Sequence, residues 1–206
     1  MNATLMTPAL RARAPARRML LLLAAVFILP FAIGTGLFWL DWRPEKFGNY
    51  GELLQAPRQL PESGLRHGDG RPFPSSELRG KWLLVLPVSG PCDSICRQNL
   101  QQMRQVHIAL NKEQDRLQRV LIVSRDSGQA DDPVWAELPQ RFPDLVLATL
   151  PAGAAASDWN RVLGGAGREI YVVDPLGNVM MRYRDPIDMR GVLKDLERLL
   201  KYSWIR

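Results

Sequence analysis

Val88-Ser89-Gly90-Pro91-Cys92-Asp93-Ser94-Ile95-Cys96 holds both cysteines of the 206-residue chain. Before it runs Trp82-Leu83-Leu84-Val85-Leu86, an unbroken apolar stretch that reads as a buried strand. After it, Arg97 to Lys112 reads as a helix. Leu100, Met103, Val106 and Leu110 recur there at spacings of three, three and four, which is one helical face. The cysteines therefore sit where a strand turns into a helix. Four residues apart, they place two sulfurs on one face of the first helical turn. That arrangement suits thiol redox chemistry or a soft metal.

Further along, Arg119-Val120-Leu121-Ile122-Val123-Ser124 and Leu145-Val146-Leu147-Ala148-Thr149 predict two more buried strands. Pro133 to Phe142 predicts a short helix between them, stopped before Pro143. Pro151 to Ala156 reads as a loop of small residues. Ser157 or Asp158 is the expected cap of a helix carrying Trp159, Val162 and Leu163, with Gly164-Gly165 ending it. Ile170-Tyr171-Val172-Val173 and Val179-Met180-Met181-Arg182-Tyr183 flank the turn Asp174-Pro175-Leu176-Gly177-Asn178, an antiparallel hairpin. Asp188 to Lys201 predicts a closing amphipathic helix capped by Asp188. Strands separated by helices must run largely parallel with right-handed crossovers. The expected fold is thus α/β: a thioredoxin-like central mixed sheet flanked by helices.

On the amino-terminal side, Leu65 to Phe73 carries the Asp69-Gly70 signal of a tight turn between short strands. Ser75 to Gly80 reads as one helical turn closed by its glycine. Met19 to Leu40 contains no charged residue and is long enough to cross a hydrocarbon core of about 30 Å. Trp39 and Trp42 stand where an interfacial anchor would. The expected layout is a basic cytoplasmic leader over 1–18, a transmembrane anchor over 19–40, a tether over 41–64 and the domain over 65–206. The tether, with Pro44, Pro57 and Pro61, gains some structure near the domain. A cleaved signal peptide is the alternative, but Ala32-Ile33-Gly34 is a weak cleavage site. Arg11, Arg13, Arg17 and Arg18 account for four of the six net positive charges, so the remainder stands at +2. The basic balance records membrane topology and excludes a nucleic-acid reading. Arginines ahead of the span keep the leader cytoplasmic. The domain then faces an oxidising compartment, the periplasm of a bacterium, where a cysteine pair persists as a disulfide.

Several stretches together resemble the Sco/SenC-like proteins of cytochrome c oxidase assembly. They are Asp69-Gly70-Arg71-Pro72-Phe73, Glu77 to Val85, the Cys92-x3-Cys96 pair opening a helix, and Ile170 to Asn178, behind a single anchor. The likeness runs from about Gly64 to Leu200. It implies a membrane-anchored factor that exchanges disulfides with, or passes Cu(I) to, a respiratory oxidase subunit. It also implies a copper site of two Cys and a His shortly before the hairpin. Here that region, Trp159 to Arg168, has no His. Pro91, Asp93 and Arg97 stand where the family carries His, Pro and Pro. The likeness is to a divergent branch.

Cys92 and Cys96 are the candidate redox pair and the candidate Cu(I) ligands, with the third ligand unassigned and no other cofactor. The helix N-terminus and Arg97 favour a thiolate, and Asp93 opposes it. The other reading is a structural disulfide in a non-catalytic interaction module, and a five-residue loop constrains the unfolded chain little. A peroxidase lacks its Thr-x-x-Cys environment. The chain is thus a thiol-disulfide oxidoreductase or a chaperone-like assembly factor. Of the two histidines, His107 lies about 16 Å along the helix from Cys96, too far to share a metal. His67 reads as a surface residue beside a turn. Met103, Met180 and Met181 read as core, and Asp126, Asp131 and Asp132 as loop or capping residues.

Overall fold

The computed structural model describes residues 13–40, 48–125, 133–164 and 168–203. The chain divides into two compact units, Met1–Phe47 and Gly48–Arg206. The first contains helix α1 (Arg13–Trp39). Within it, Arg17–Trp39 is long and apolar enough to cross a membrane. Pro30 lies inside the helix and Thr35 returns its hydroxyl to the Phe31 carbonyl at 2.8 Å. Trp42 and Arg11 lie outside the described residues.

The second unit is built on an eight-stranded mixed sheet. In chain order its strands are β1 (Glu52–Gln59), β2 (Leu65–Arg66), β3 (Pro72–Phe73), β4 (Trp82–Ser89), β5 (Leu117–Arg125), β6 (Leu145–Pro151), β7 (Glu169–Val173) and β8 (Asn178–Arg184). Their order across the sheet is β1-β8-β7-β4-β5-β6-β2-β3. β4, β5 and β6 are parallel, and β7 and β8 form the expected antiparallel hairpin beside β4. The helices are α2 (Ser94–Ala109), α3 (Pro133–Arg141), α4 (Ala154–Leu163) and α5 (Met189–Tyr202). The thioredoxin-like mixed sheet predicted from the element order is the one observed.

Topology decides which helix covers which face. From β4 the chain steps outward to β5 and then β6, so right-handed crossovers put α2 and α3 on one face. From β6 it returns past β4 to the antiparallel β7, and α4 packs on the other face. The core follows this division. Trp82, Leu84, Leu86 and Val88 pack with Leu100 and Met103 of α2, Trp135 and Leu138 of α3 and Leu196 of α5. The alternate residues Leu83 and Val85 pack with Trp159 and Leu163 of α4. β4 is buried on both sides, so it reads as a continuous apolar run and not as an alternation.

Four boundaries differ from the sequence expectation. α2 ends at Ala109, before Lys112; Asn111 then takes a positive φ of 51° and opens a 3-10 segment, Asn111–Arg116. Asparagine is among the few side chains that tolerate this region. α4 begins at Ala154, three residues ahead of Ser157. Its cap is Gly153, with φ 139°, and the alanines that follow are strong helix formers. The second half of the stretch read as a small-residue loop is thus the first turn of a helix. The strands β5 and β6 each run two or more residues past the apolar cores that announced them.

The largest difference is β1, which lies inside the expected tether. It pairs antiparallel with β8 at the sheet edge, and most of its residues are exposed. Pro57 is tolerated because the strand is an edge with a register shift between Leu53 and Arg58. Just before it, Asp195 of α5 accepts hydrogen bonds from the Tyr50 and Gly51 amides at 2.8 and 2.9 Å and from the Tyr183 hydroxyl at 3.0 Å. Burial, followed by the charge and hydrogen bond of Asp195, pushes the Tyr183 phenol far above its ordinary value. Gly191 is needed opposite Tyr50, since a Cβ there would lie 2.6 Å from the Tyr50 side chain. The folded unit therefore starts at Gly48.

Candidate functional site

Cys92 and Cys96 lie at the carboxyl end of β4, where α/β sheets collect their reactive groups. Gly90, with φ 87°, turns the chain out of the strand, and Asp93 caps α2. The Asp93 carboxylate accepts the Cys96 amide at 2.8 Å. This fixes Cys96 at the third helical position and Cys92 immediately ahead of the cap. The two are joined as a disulfide, with a Cα separation of 5.2 Å. Both are 2% exposed and belong to the core shared by β4, α2 and α3. The rim above them, Ser89, Pro91, Asp93 and Ser94, is exposed.

Two opposite charges bracket the pair. The Asp93 carboxylate stands over the first turn of α2. The Arg97 guanidinium donates to the Cys92 carbonyl at 2.9 Å. The arginine thus braces the cysteine loop through its backbone, and the aspartate occupies an amide that a thiolate could otherwise use. Asn99, one turn beyond Cys96, is also buried, and its side-chain amide nitrogen has no hydrogen-bond partner. No signal in the sequence distinguished it from the exposed glutamines around it.

Both histidines belong to the opposite end of the sheet. His107, on the last turn of α2, lies 3.2 Å from the Asp144 carboxylate through Nδ1. Its Nε2 is 3.1 Å from the Gln114 and Leu117 carbonyls. Leu117 is the first residue of β5, so His107 is an anchor at the amino end of the parallel strands. It is more embedded than the ordinary helix residue the sequence suggested. His67 stacks on Phe73 at a centroid distance of 4.3 Å and lies 3.4 Å from Glu77. It borders a hollow with Lys81 and Gln118, again beside the starts of β4 and β5. Met103 and Met181 are buried in the core as expected, and Met180 packs against it. Asp126, Asp131 and Asp132 lie outside the described residues.

The same end holds Arg119, which is 0% exposed inside β5. Its Nη2 is 2.5 Å from Asp144 and its Nε donates to the same oxygen at 3.2 Å. Burial raises the Asp144 carboxyl, but the hydrogen bond and charge of Arg119 outweigh it, with a smaller pull from His107. The net effect holds Asp144 below the ordinary carboxylate value.

The donor set does not fit a three-ligand copper centre of two Cys and a His. The antiparallel register of β4 with β7 aims the segment ahead of Glu169 back toward the cysteines. That segment contains no His, and its residues 165–167 lie outside the described ones. Among the described residues, no cluster of three or more His, Cys, Asp or Glu side chains could hold a metal ion.

Residues 82–203 match the family described as the transmembrane-like, thioredoxin-like, C-terminal domain. No curated protein matches the chain. Among solved structures, copper-bound yeast Sco1 is 17% identical, with 73% of this chain and 96% of that one covered and a TM-score of 0.60. Apo Sco1 from Thermus thermophilus is 19% identical, covering 76% and 99%, at 0.56. BsSco, described as a member of the Sco family of cytochrome c oxidase assembly proteins with a disulfide switch, is 12% identical, covering 78% and 100%, at 0.52. At these identities the likeness is one of fold, and the fold is Sco-like.

Proposed function

The chain belongs to the transmembrane-like, thioredoxin-like, C-terminal-domain family, and from that premise we propose a membrane-anchored assembly factor that works by thiol-disulfide exchange. The observation that carries this reading is the Cys92–Cys96 disulfide at the carboxyl end of β4, on the first turn of α2. A partner thiolate attacks one sulfur of the pair. The intermolecular S–S bond forms as the internal one breaks, and the other cysteine leaves as a thiolate. The partner's second thiol then attacks the mixed disulfide. Two electrons reach the domain, the partner departs as a disulfide, and Cys92 and Cys96 take up two protons. The reverse sequence returns the electrons.

The partner in this reading is a respiratory oxidase subunit, by analogy with the cytochrome c oxidase assembly role described for BsSco. The cysteines are reached past the exposed rim of Ser89 to Ser94. α1 anchors the domain in the inner membrane of a bacterium, with Arg13, Arg17 and Arg18 cytoplasmic and the domain periplasmic. Protease protection in spheroplasts reads that orientation. Cu(I) enters as cargo only. Copper-bound yeast Sco1 shares the fold, and two thiolates are a soft donor set, but neither histidine completes the site. Anaerobic titration should therefore show Cu(I) uptake that is lost in Cys92→Ser.

The burial of both cysteines favours a second reading, a structural link in a non-catalytic interaction module. A Cys96→Ser variant decides between them. Under the exchange reading Cys92 is left to form a mixed disulfide with a dithiol partner, detectable by mass spectrometry. A Cys92 that forms none in the folded domain, together with full complementation of a deletion strain by the Cys92→Ser/Cys96→Ser protein, would leave only the structural link.

A further inference from the structure

Beside the cysteine pair, α2 and α3 enclose a cavity of about 300 Å³, at the lower end of the range for ligand sites. Ser94, Arg97 and Gln101 line it from α2, and Glu137, Arg141 and Phe142 from the α3 side. On α2, residues 94, 97, 101 and 104 recur at spacings of three, four and three, so they form one continuous stripe. On α3, Glu137 and Arg141 are one turn apart. The groove thus begins at the first turn of α2, at Ser94, which stands between the two cysteines in sequence, and runs along the helix toward Arg104.

Its charge is one-sided. Arg104 and Arg141 both reach over the Phe142 ring, at 6.0 and 5.8 Å from its centre. Both are exposed. Arg97 donates a hydrogen bond to the Cys92 carbonyl. None of the three is paired with a carboxylate among the described residues, whereas Arg119 beneath the same ring is neutralised by Asp144. The lining holds Arg97 and Arg141 against one acid, Glu137, with Arg104 added at the Phe142 ring and the Asp93 carboxylate next to Ser94 at the cysteine end. At the end nearest the sulfurs the capping Asp93 offsets the amino-terminal dipole of α2, so the positive field is carried by the arginines farther along. A floor of Leu100, Leu138 and Phe142 accepts an apolar side chain between the charges.

We propose that this groove is the docking site for an acidic segment of the redox partner, seated so that the partner's thiols reach the Cys92–Cys96 disulfide. The proposal deepens the exchange reading and rests on it. A peptide segment is favoured over an anionic lipid surface because the groove is narrow, has an apolar floor and ends at the reactive pair.

The test uses the full chain in detergent and two fluorescent peptides in which serines replace thiols, so that binding is read without chemistry. One peptide places Asp and Glu around an apolar residue, and the other places Lys at the same positions. The acidic peptide should bind at least about tenfold more tightly at low salt, since the arginines would repel the basic one. The preference should collapse in R104E/R141E and at high salt. In parallel, dithiol versions of the peptides should reduce the wild-type disulfide at rates that follow the same order. Equal binding of the two peptides, or a preference that survives R104E/R141E, overturns the groove even if dithiothreitol reduces the pair. Arginine-dependent capture of anionic phosphatidylglycerol vesicles, with no peptide preference, also overturns it. An acidic peptide that binds through the arginines to a domain whose disulfide never exchanges upholds the groove and overturns the redox reading.

Discussion

The two ends of the parallel strands are built differently. At the amino end, Arg119, Asp144 and His107 form a packed polar cluster in which the buried guanidinium has its counter-ion and the imidazole has partners on both nitrogens. At the carboxyl end, a disulfide is flanked by one capping carboxylate, one bracing arginine and exposed rim residues. The first end pairs its buried cation with a carboxylate, because an unpaired buried charge is costly, although the two terminal guanidinium nitrogens of Arg119 make no hydrogen bond. The second has arginines without a carboxylate partner among the described residues and a disulfide beneath a thin exposed rim. Both histidines lie at this charge-paired end, at the opposite end of the sheet from the cysteines.

The comparison is broken most forcefully at Asp144. Asp144→Ala should cost about 3 kcal/mol, the low end for stranding a buried charge because the carboxylate is itself 40% exposed. Denaturant unfolding reads the loss, and the reduction potential of the cysteines should not move. The same residue sets an acid limb. Its carboxyl is depressed in the folded chain, so the stability it contributes is present above the ordinary carboxylate pKa of about 3.9 and fades as pH falls through the lower folded value. In Asp144→Asn that limb should be missing from a pH series of melting curves.

Removing the disulfide should act in the opposite way. Cys92→Ser/Cys96→Ser should abolish exchange while costing only about 2 kcal/mol, the chain-entropy value for a loop this short. A loss well above that would mark the bond as chiefly structural. His107→Ala should cost about 1 kcal/mol, for carbonyls left to water or to strained partners, again with no redox effect. The smallest effect is expected at Asp93. Asp93→Asn keeps the cap but removes a negative charge beside the sulfurs. That should raise the reduction potential by about 10–20 mV, the redox equivalent of a first-turn charge, measured by equilibrium with glutathione.

The amino and carboxyl ends of the parallel strands were legible in the sequence to different degrees. The cysteine junction was readable because a continuous apolar run, a turn and a 3.6-period face meet there. The parallel core, the hairpin and α5 with its Asp188 cap followed from the same periodicities. β1 was hidden because an exposed edge strand carrying Pro57 has the composition of a tether. Arg119 was invisible as a buried cation, since nothing within β5 distinguishes it from a surface residue and its partner is 25 positions away. The spacing along α2 was enough to separate His107 from the cysteines. Its binding to Asp144 depends on how the start of β6 passes the end of α2, which only the packed fold determines. The groove between α2 and α3 was missed for the same reason.

Thiol-disulfide exchange requires that the Cys92–Cys96 bond open and close within the folded domain. The direct measurement is to equilibrate the full chain, in detergent and without oxygen, across graded dithiothreitol and glutathione ratios. Thiols are counted by alkylation and mass spectrometry while circular dichroism follows the fold. The prediction is a single two-electron transition between disulfide and dithiol, completed with the native spectrum intact. A bond that resists every ratio until the domain unfolds would contradict it.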